Sequence, residues 1–198
     1  MALRRSGFDR DALEVAPELL GMDLVHGPVR LRISEVEAYR GPTDSAAHTS
    51  MGRTARNTPV WGPAGHAYIY LCYGLHNMLN VVCAEGHCCL VRACEIVEGH
   101  DLVRRRRGGK EGPVLLTGPG KVGQALRITT ALSGRDLLGR AGLRLLRGED
   151  PPEVLAGPRV GIDYADPEHR DAPWRFARGG TRWVSQRKSL VSWEKCSP

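Results

Sequence analysis

Apolar and polar residues alternate over much of the first half of the chain, which is the pattern of half-buried β-strands. Strands are predicted at 23–26, 29–39, 67–73, 78–84 and 88–96. Turns at Gly27-Pro28 and at 74–77 join two pairs of these strands into hairpins. A short helix at 9–21, broken or kinked near Pro17, is expected to pack on the sheet.

The second half of the chain predicts helices followed by short strands. The helices are predicted at 99–107, 118–128 and 133–138, and the strands at 143–146, 159–164, 174–177 and 182–185. The polar segment 41–63, rich in Gly, Pro, Ser and Thr, is expected to be a long functional loop.

These elements predict an α+β fold. We expect a single domain over 1–198 with a curved, mostly antiparallel β-sheet, flanking helices and a protruding β-hairpin. Its core is expected at 12–187, and the tail at 188–198 is expected to be loosely ordered. A chain of 198 residues is long enough for one well-buried core and short for two.

Composition indicates an ordinary globular protein with a basic surface. Hydrophobic residues make up 41% of the chain and charged residues 25%, which argues against a disordered or fibrous protein. The formal net charge is +6, with arginines clustered at 104–107, so a polyanionic partner is compatible with the sequence. Basicity alone does not select such a partner.

Cysteine placement and hydropathy predict the cellular location. No signal-peptide segment follows Met1, and no apolar run approaches the roughly 20 residues of a membrane span. Most of the cysteines lie in apolar, strand-like segments, so reduced thiols are expected at Cys72, Cys83, Cys88, Cys89, Cys94 and Cys196. We therefore expect a cytoplasmic protein without membrane association.

Two carboxylates in one predicted strand are the first candidates for chemistry. Strand alternation places Glu35 and Glu37 on one covered face with Leu31, Ile33 and Tyr39, and sets the two carboxylates about 7 Å apart. They could be structural partners of arginines at the end of the sheet. They could equally be a general acid or base, and the spacing would permit sugar hydrolysis with inversion.

Aromatic residues and one arginine add to this region. Tyr68 and Tyr70 share a strand face, and Tyr73 falls at a turn, where a protruding ring would suit insertion between bases. Tyrosines along a sheet edge, with their hydroxyls in water, explain the same pattern. Arg92 is expected to share a face with Leu90 and Cys94, and to pair with one of the two carboxylates in an apolar layer.

Metal and nucleotide sites are not expected, and no cofactor is implied. The cluster of Cys and His at 83–94 contains no C-x-x-C pair and does not match the spacing of structural zinc sites. The turn 118–121 lacks the frame of a nucleotide-binding P-loop. Its glycines and Lys121 could still contact a phosphate backbone at the start of a helix.

Several separated motifs resemble the alkyladenine (3-methyladenine) DNA glycosylases over about residues 12 to 187. The motifs are Glu-Val-Glu-Ala-Tyr at 35–39, Gly-Pro-Thr-Asp-Ser-Ala-Ala-His at 41–48 and Tyr-Ile-Tyr-Leu-Cys-Tyr-Gly at 68–74. Further matches follow in the same order at 80, 90–93, 118–126, 159–161 and 183–185. Several motifs in the order of the family indicate that family more specifically than any single motif does.

The resemblance implies roles for individual residues. Glu37 would be the general base that activates a water, and Arg92 and the backbone carbonyl of Val160 would hold that water. The residues implied to bind the flipped base and the DNA are Tyr39, His48, Tyr70 and Asn80 in the pocket, Tyr73 in the vacated stack, and Thr54 and Arg56 at phosphates.

The resemblance also implies an activity and a partner. It implies a monofunctional, monomeric glycosylase of base excision repair that removes damaged purines from double-stranded DNA. No lysine occupies a site position that would suggest Schiff-base chemistry. His76 stands where family members often have another tyrosine, which leaves groove contact at the hairpin open.

Two other functions remain open from the residues alone. The first is a sheet-based nucleic-acid-binding module that uses Tyr70 and Tyr73 for stacking and has no catalytic activity. The second is a metal-dependent nuclease or hydrolase with a hard-cation site at Glu35, Glu37, Asp44 and His48.

Overall fold

The computed structural model describes residues 3–195, and their strands form one antiparallel sheet. The strands are β1 (Asp23–His26), β2 (Val29–Tyr39), β3 (Ala67–Cys72), β4 (His76–Val82), β5 (Cys88–Glu98), β6 (Arg144–Leu146), β7 (Val154–Gly157), β8 (Arg175–Arg178) and β9 (Val191–Ser192). The helices are α1 (Ala12–Leu19), α2 (His100–Arg106), α3 (Pro119–Leu126) and α4 (Pro167–Arg170). The predicted α+β class is confirmed.

The long strand β2 lies at the centre of the sheet. The sheet order is β3-β4-β5-β2-β8-β7-β9, and β1 pairs with both β2 and β6. One edge of β2 pairs with β5 along most of its length. Its other edge pairs with β1 near the start and with β8 at 35–37. Residues of β2 therefore meet side chains from both ends of the sequence.

An irregularity in β2 changes which face its residues occupy. The register against β5 shifts between Ile33 and Val36, as in a β-bulge. Leu31 and Ile33 belong to the main apolar core before the shift, and Val36 and Ala38 belong to it afterwards. The prediction that Leu31 and Ile33 share a face with the two glutamates is therefore wrong.

The same irregularity affects β5. Leu90 and Arg92 line a cavity, whereas Cys94 lies in the main core with Val91. The prediction that Cys94 shares a face with Arg92 is wrong, because the alternation of β5 also changes phase opposite the bulge in β2.

Helix α3 fixes the β3–β4 hairpin by close backbone contact. A Cβ atom on Gly123 would lie 2.0 Å from the carbonyl oxygen of Asn77, so only glycine allows this approach. Gly120 lies in the same way against the ring of His76. The hairpin is thus supported from one side, and its turn is free to protrude.

Several predicted elements differ from the structure. Helix α1 continues through Pro17 to Leu19 without a break. Strands predicted at 159–164 and 182–185 and a helix predicted at 133–138 are not formed, because short apolar runs there serve as anchored loops. The tail at 188–198 was expected to be loosely ordered, but β9 lies within it and pairs with β7. The centroid of the Trp193 ring lies 4.9 Å from that of Phe176.

Candidate active site

A cavity of about 470 Å³ opens between the loop after β2, the β3–β4 hairpin, strand β5 and the segment after β7. Pockets of this size hold small ligands. Nine of the residues predicted from the resemblance line it: Glu37, Tyr39, His48, Arg56, Tyr70, Tyr73, Asn80, Arg92 and Val160. Thr54 and Lys121 do not.

Glu37 is a fully buried carboxylate at the wall of this cavity. Its Oε1 accepts a hydrogen bond from the backbone N–H of Val160 at 2.7 Å and lies 3.2 Å from Arg92 Nη1. Its Oε2 accepts a hydrogen bond from the Tyr39 hydroxyl at 3.0 Å. A carboxylate can accept about four hydrogen bonds, so these donors leave one position free.

Glu35 is equally buried but does not line the cavity. Its carboxylate accepts from Arg92 Nε at 3.3 Å, from Arg175 Nη1 at 3.0 Å, and from both the backbone N–H and the hydroxyl of Ser185. Arg175 is also fully buried. The two carboxylates that strand spacing alone could not distinguish therefore have different environments, and Glu35 is part of a buried ion-pair network.

Arg92 connects these two environments. It is 8% exposed and reaches both Glu35 and Glu37, as its expected position in a buried layer implied. The two carboxylates raise the pKa of Arg92 against the opposing effect of burial. The guanidinium thus remains charged and holds one oxygen of Glu37 in place.

Tyr39 is held between Glu37 and a second buried arginine. The guanidinium of Arg159 lies 4.7 Å from the centroid of the Tyr39 ring and 4.9 Å from that of Trp174. Arg159 forms a bidentate ion pair with Asp44, with distances of 2.6 and 2.9 Å. Burial, followed by the charge of Glu37, raises the pKa of Tyr39 well above its usual value. The hydroxyl therefore stays protonated and donates to Glu37.

His48 and Tyr70 form another aromatic wall of the cavity. Their ring centroids are 4.4 Å apart in an edge-to-face arrangement, and His48 Nδ1 lies 2.9 Å from the Tyr68 hydroxyl. Tyr68 is buried behind this wall. Desolvation, with a further contribution from Arg56, lowers the pKa of His48. The imidazole is therefore neutral at pH 7.

Asn80 and Cys88 form a buried polar pair at the same cavity. Asn80 Nδ2 donates to the carbonyl of Tyr68 at 3.1 Å, and the Cys88 thiol contacts Asn80 Oδ1 at 3.8 Å. Burial raises the pKa of the Cys88 thiol, which keeps it protonated. The amide of Asn80 is thus held in one orientation.

Tyr73 protrudes from the hairpin turn at the mouth of the cavity. Its side chain is 91% exposed, and its φ of 49° places it in the left-handed region that non-glycine residues rarely occupy. Leu75 beside it is also exposed. The turn therefore presents apolar side chains to solvent, which indicates a surface built for a partner.

The residues predicted to contact phosphate lie around the mouth. Arg56 is exposed, lines the cavity, and its guanidinium lies 5.8 Å from the centroid of the Tyr70 ring. Thr54 forms a local turn with Asn57 through two hydrogen bonds. Lys121 is in the first turn of α3. Desolvation, followed by the positive charges of Arg107 and Lys110, lowers the pKa of Lys121.

The donor set does not favour the metal-dependent alternative. Asp44 is paired with Arg159, and Glu35 with Arg92 and Arg175, so neither carboxylate is available to a cation. Among residues 3–195, no group of three or more His, Cys, Asp or Glu side chains is placed to hold a metal ion. The described cysteines are free thiols, and Cys196 lies outside the described residues.

Sequence reasoning missed several residues of this site. Arg159, Arg175, Ser185 and Tyr164 received no individual role, although Arg175 stands among apolar residues of a predicted strand, as Arg92 does. Arg92 was singled out as an arginine that faces inward from a predicted strand, and the same signal could have identified Arg175. The other three lie in irregular segments, where no periodicity indicates which way a side chain points.

In the described part of the chain, no helix is long and apolar enough to cross a membrane.

Comparisons with known proteins identify the family of this chain. Residues 6–182 match the family model described as methylpurine-DNA glycosylase. A Nitrosococcus oceani protein that carries the name 3-methyladenine DNA glycosylase is 54% identical over 92% of each chain. A DNA-3-methyladenine glycosylase of Arabidopsis thaliana is also 54% identical, over 93% of this chain and 74% of its own. The family predicted from the motifs is confirmed: the chain belongs to the methylpurine-DNA glycosylases, which are hydrolases of N-glycosyl bonds.

Proposed function

We propose that this protein flips a damaged purine of the 3-methyladenine type out of double-stranded DNA and hydrolyses its N-glycosidic bond with a water activated by Glu37. The observation that supports this most directly is the difference between the two buried carboxylates. Glu37 lines the cavity with one free acceptor position, whereas Glu35 does not line it and accepts hydrogen bonds from Arg92, Arg175 and Ser185. A water hydrogen-bonded at that position would give up its proton to Glu37 as it attacks the anomeric carbon.

The surroundings of Glu37 suit a general base. Val160 and Arg92 hold one carboxylate oxygen, and Tyr39 holds the other, so the group is oriented before the substrate arrives. The backbone carbonyl of Val160 and the Arg92 guanidinium would share in holding the water. An alkylated purine is an activated leaving group, so a single base can suffice, and no separate acid is required.

The aromatic walls suit a flipped base. Extruding a nucleotide costs a few kcal/mol, and stacking on aromatic rings returns about 1–3 kcal/mol per base. Tyr39 on one side and His48 with Tyr70 on another provide these surfaces, and a neutral His48 does not repel a cationic base. Asn80, held by the Tyr68 carbonyl, would discriminate against the guanine amino group.

The rim suits duplex DNA. Tyr73 would fill the space that the flipped nucleotide leaves. Arg56, Thr54 and Lys121 would contact phosphates on the flanking backbone, which is consistent with the net charge of +6. No lysine is among the residues that line the cavity in the described chain, so we propose base removal without strand cleavage.

Replacing Glu37 by Gln tests the mechanism. Single-turnover release of methyladenine from methylated duplex DNA should fall by at least a hundredfold, because general-base catalysis is worth about 10²–10⁴-fold. Binding to the same DNA should persist. Glu98→Gln, at an exposed position on β5, is the matched control and should behave as the native protein.

Other outcomes separate the alternatives. Undiminished excision by Glu37→Gln would overturn the role of Glu37. Native protein that binds methylated DNA but releases no base would favour a binding module. Excision abolished by EDTA would favour a metal-dependent hydrolase. The same assay with methylguanine, hypoxanthine and ethenoadenine duplexes defines the range of bases.

A further inference from the structure

Tyr164 is a second exposed aromatic residue at the cavity, on a different element from Tyr73. It lines the cavity, yet its side chain is 70% exposed. It follows Val160, whose N–H binds Glu37, by only four positions in the chain. Glu37 and Tyr73 line the same cavity, so Tyr164 shares it with the proposed general base and with the hairpin tip.

The segment that carries Tyr164 is anchored by contacts to the loop after β2. Ile162 and Ala165 are buried against Ala46 in a small apolar cluster with Tyr39. The Tyr164 hydroxyl donates to the Ala46 carbonyl at 3.0 Å, and the Asp166 N–H donates to the Ser45 hydroxyl. The exposed ring is therefore held in place, although its own burial contributes little to the fold.

We propose that Tyr164 packs against the deoxyribose of the flipped nucleotide and holds it over Glu37, an inference that rests on the proposed function. The water on Glu37 must reach the anomeric carbon, so the sugar has to lie on the side of the mouth that Val160 and Tyr164 form. An aromatic ring offers an apolar face to the sugar, and Tyr73 occupies the duplex side. Tyr164 would then contact substrate only after flipping.

The experiment compares Tyr164→Ala and Tyr164→Phe on methylated duplex DNA at saturating and subsaturating enzyme. Tyr164→Ala should lower the ratio of the single-turnover rate to the half-saturating concentration about tenfold, the size of one lost aromatic contact. Its affinity for undamaged duplex should stay within about twofold of native, since the contact forms only with a flipped nucleotide. Tyr164→Phe, which keeps the ring, should retain native excision.

Three results would overturn the proposal. The first is native excision by Tyr164→Ala. The second is an equal loss in Tyr164→Phe, which would assign the effect to the hydroxyl and its bond to Ala46. The third is an equal loss of affinity for undamaged duplex, which would indicate a general DNA contact. Val191→Ala, at an exposed position in β9 away from the cavity, is the control. Excision by native protein and its loss in Glu37→Gln, measured alongside, separate failure of this inference from failure of the proposed function.

Discussion

The Glu35 carboxylate accepts a hydrogen bond from Arg175 Nη1 at 3.0 Å, and neither side chain is exposed to solvent. Removing the charge of Glu35 leaves Arg175 buried without its counterion. Breaking a buried ion pair in this way costs about 3–5 kcal/mol. We expect Glu35→Gln to lower the free energy of unfolding by that amount, measured by urea denaturation.

The control for this prediction is an ion pair in water. Arg170 and Asp171 are paired at 2.8 Å, but both side chains are largely exposed. Asp171→Asn should leave the free energy of unfolding nearly unchanged, since solvent screens exposed pairs. Equal effects of the two substitutions would show that the Glu35 network does not stabilise the fold.

Tyr73→Ala should weaken binding to damaged DNA selectively. The ring is 91% exposed at the hairpin tip, so its loss should leave the fold intact. If it fills the vacated stack, affinity for a duplex with a damaged purine should fall about tenfold, within the 1–3 kcal/mol of one stacking contact. Fluorescence anisotropy with Glu37→Gln as the background prevents turnover during the measurement.

Undamaged duplex provides the contrast for Tyr73. Phosphate contacts dominate affinity there, so Tyr73→Ala should change it little, and both proteins should lose affinity steeply as salt is raised. An equal loss on damaged and undamaged duplex would contradict insertion of Tyr73 into the stack.

His87 should make the fold less stable as the pH falls below neutrality. Its Nδ1 accepts a hydrogen bond from the Ala12 N–H, and desolvation lowers the pKa of the ring below its ordinary value of 6.5. The unfolded chain therefore takes up a proton at a higher pH than the folded chain does. Stability is fully present above 6.5 and declines as the pH drops through the lowered pKa.

Thermal unfolding between pH 7.5 and 5 measures this dependence. His87→Asn should reduce the decrease of Tm on acidification. His100→Asn, at an exposed position, should leave the slope of Tm against pH unchanged. Asp11 and Asp136 do not interfere with this measurement. Their pKa values are lowered from the ordinary 3.8, so protonation of these carboxylates destabilises the fold only at more acidic pH. An unchanged slope in His87→Asn would refute the assignment.

Local sequence patterns predicted the first half of the fold well. The bounds of β1 and β2 agree with the prediction, because apolar alternation and the Gly27-Pro28 turn are local signals. The later strands were predicted less well, since short apolar runs between loops are used equally by strands and by anchored irregular segments. The bulge in β2 also left no local signal, and the facing of Glu35 was therefore assigned with the wrong neighbours.

The sequence by itself determined the family, the strand-rich fold and nine of the residues that meet at the cavity, because ordered motifs and strand periodicity are properties of neighbouring positions. Only the tertiary structure decided that Glu35 lies in a buried ion-pair network, while Glu37 lines the cavity with a free acceptor position. That difference depends on Val160, Arg175 and Ser185, which lie more than a hundred positions away in the chain. Contacts at such separation follow from how the sheet closes around β2, and no local pattern encodes them.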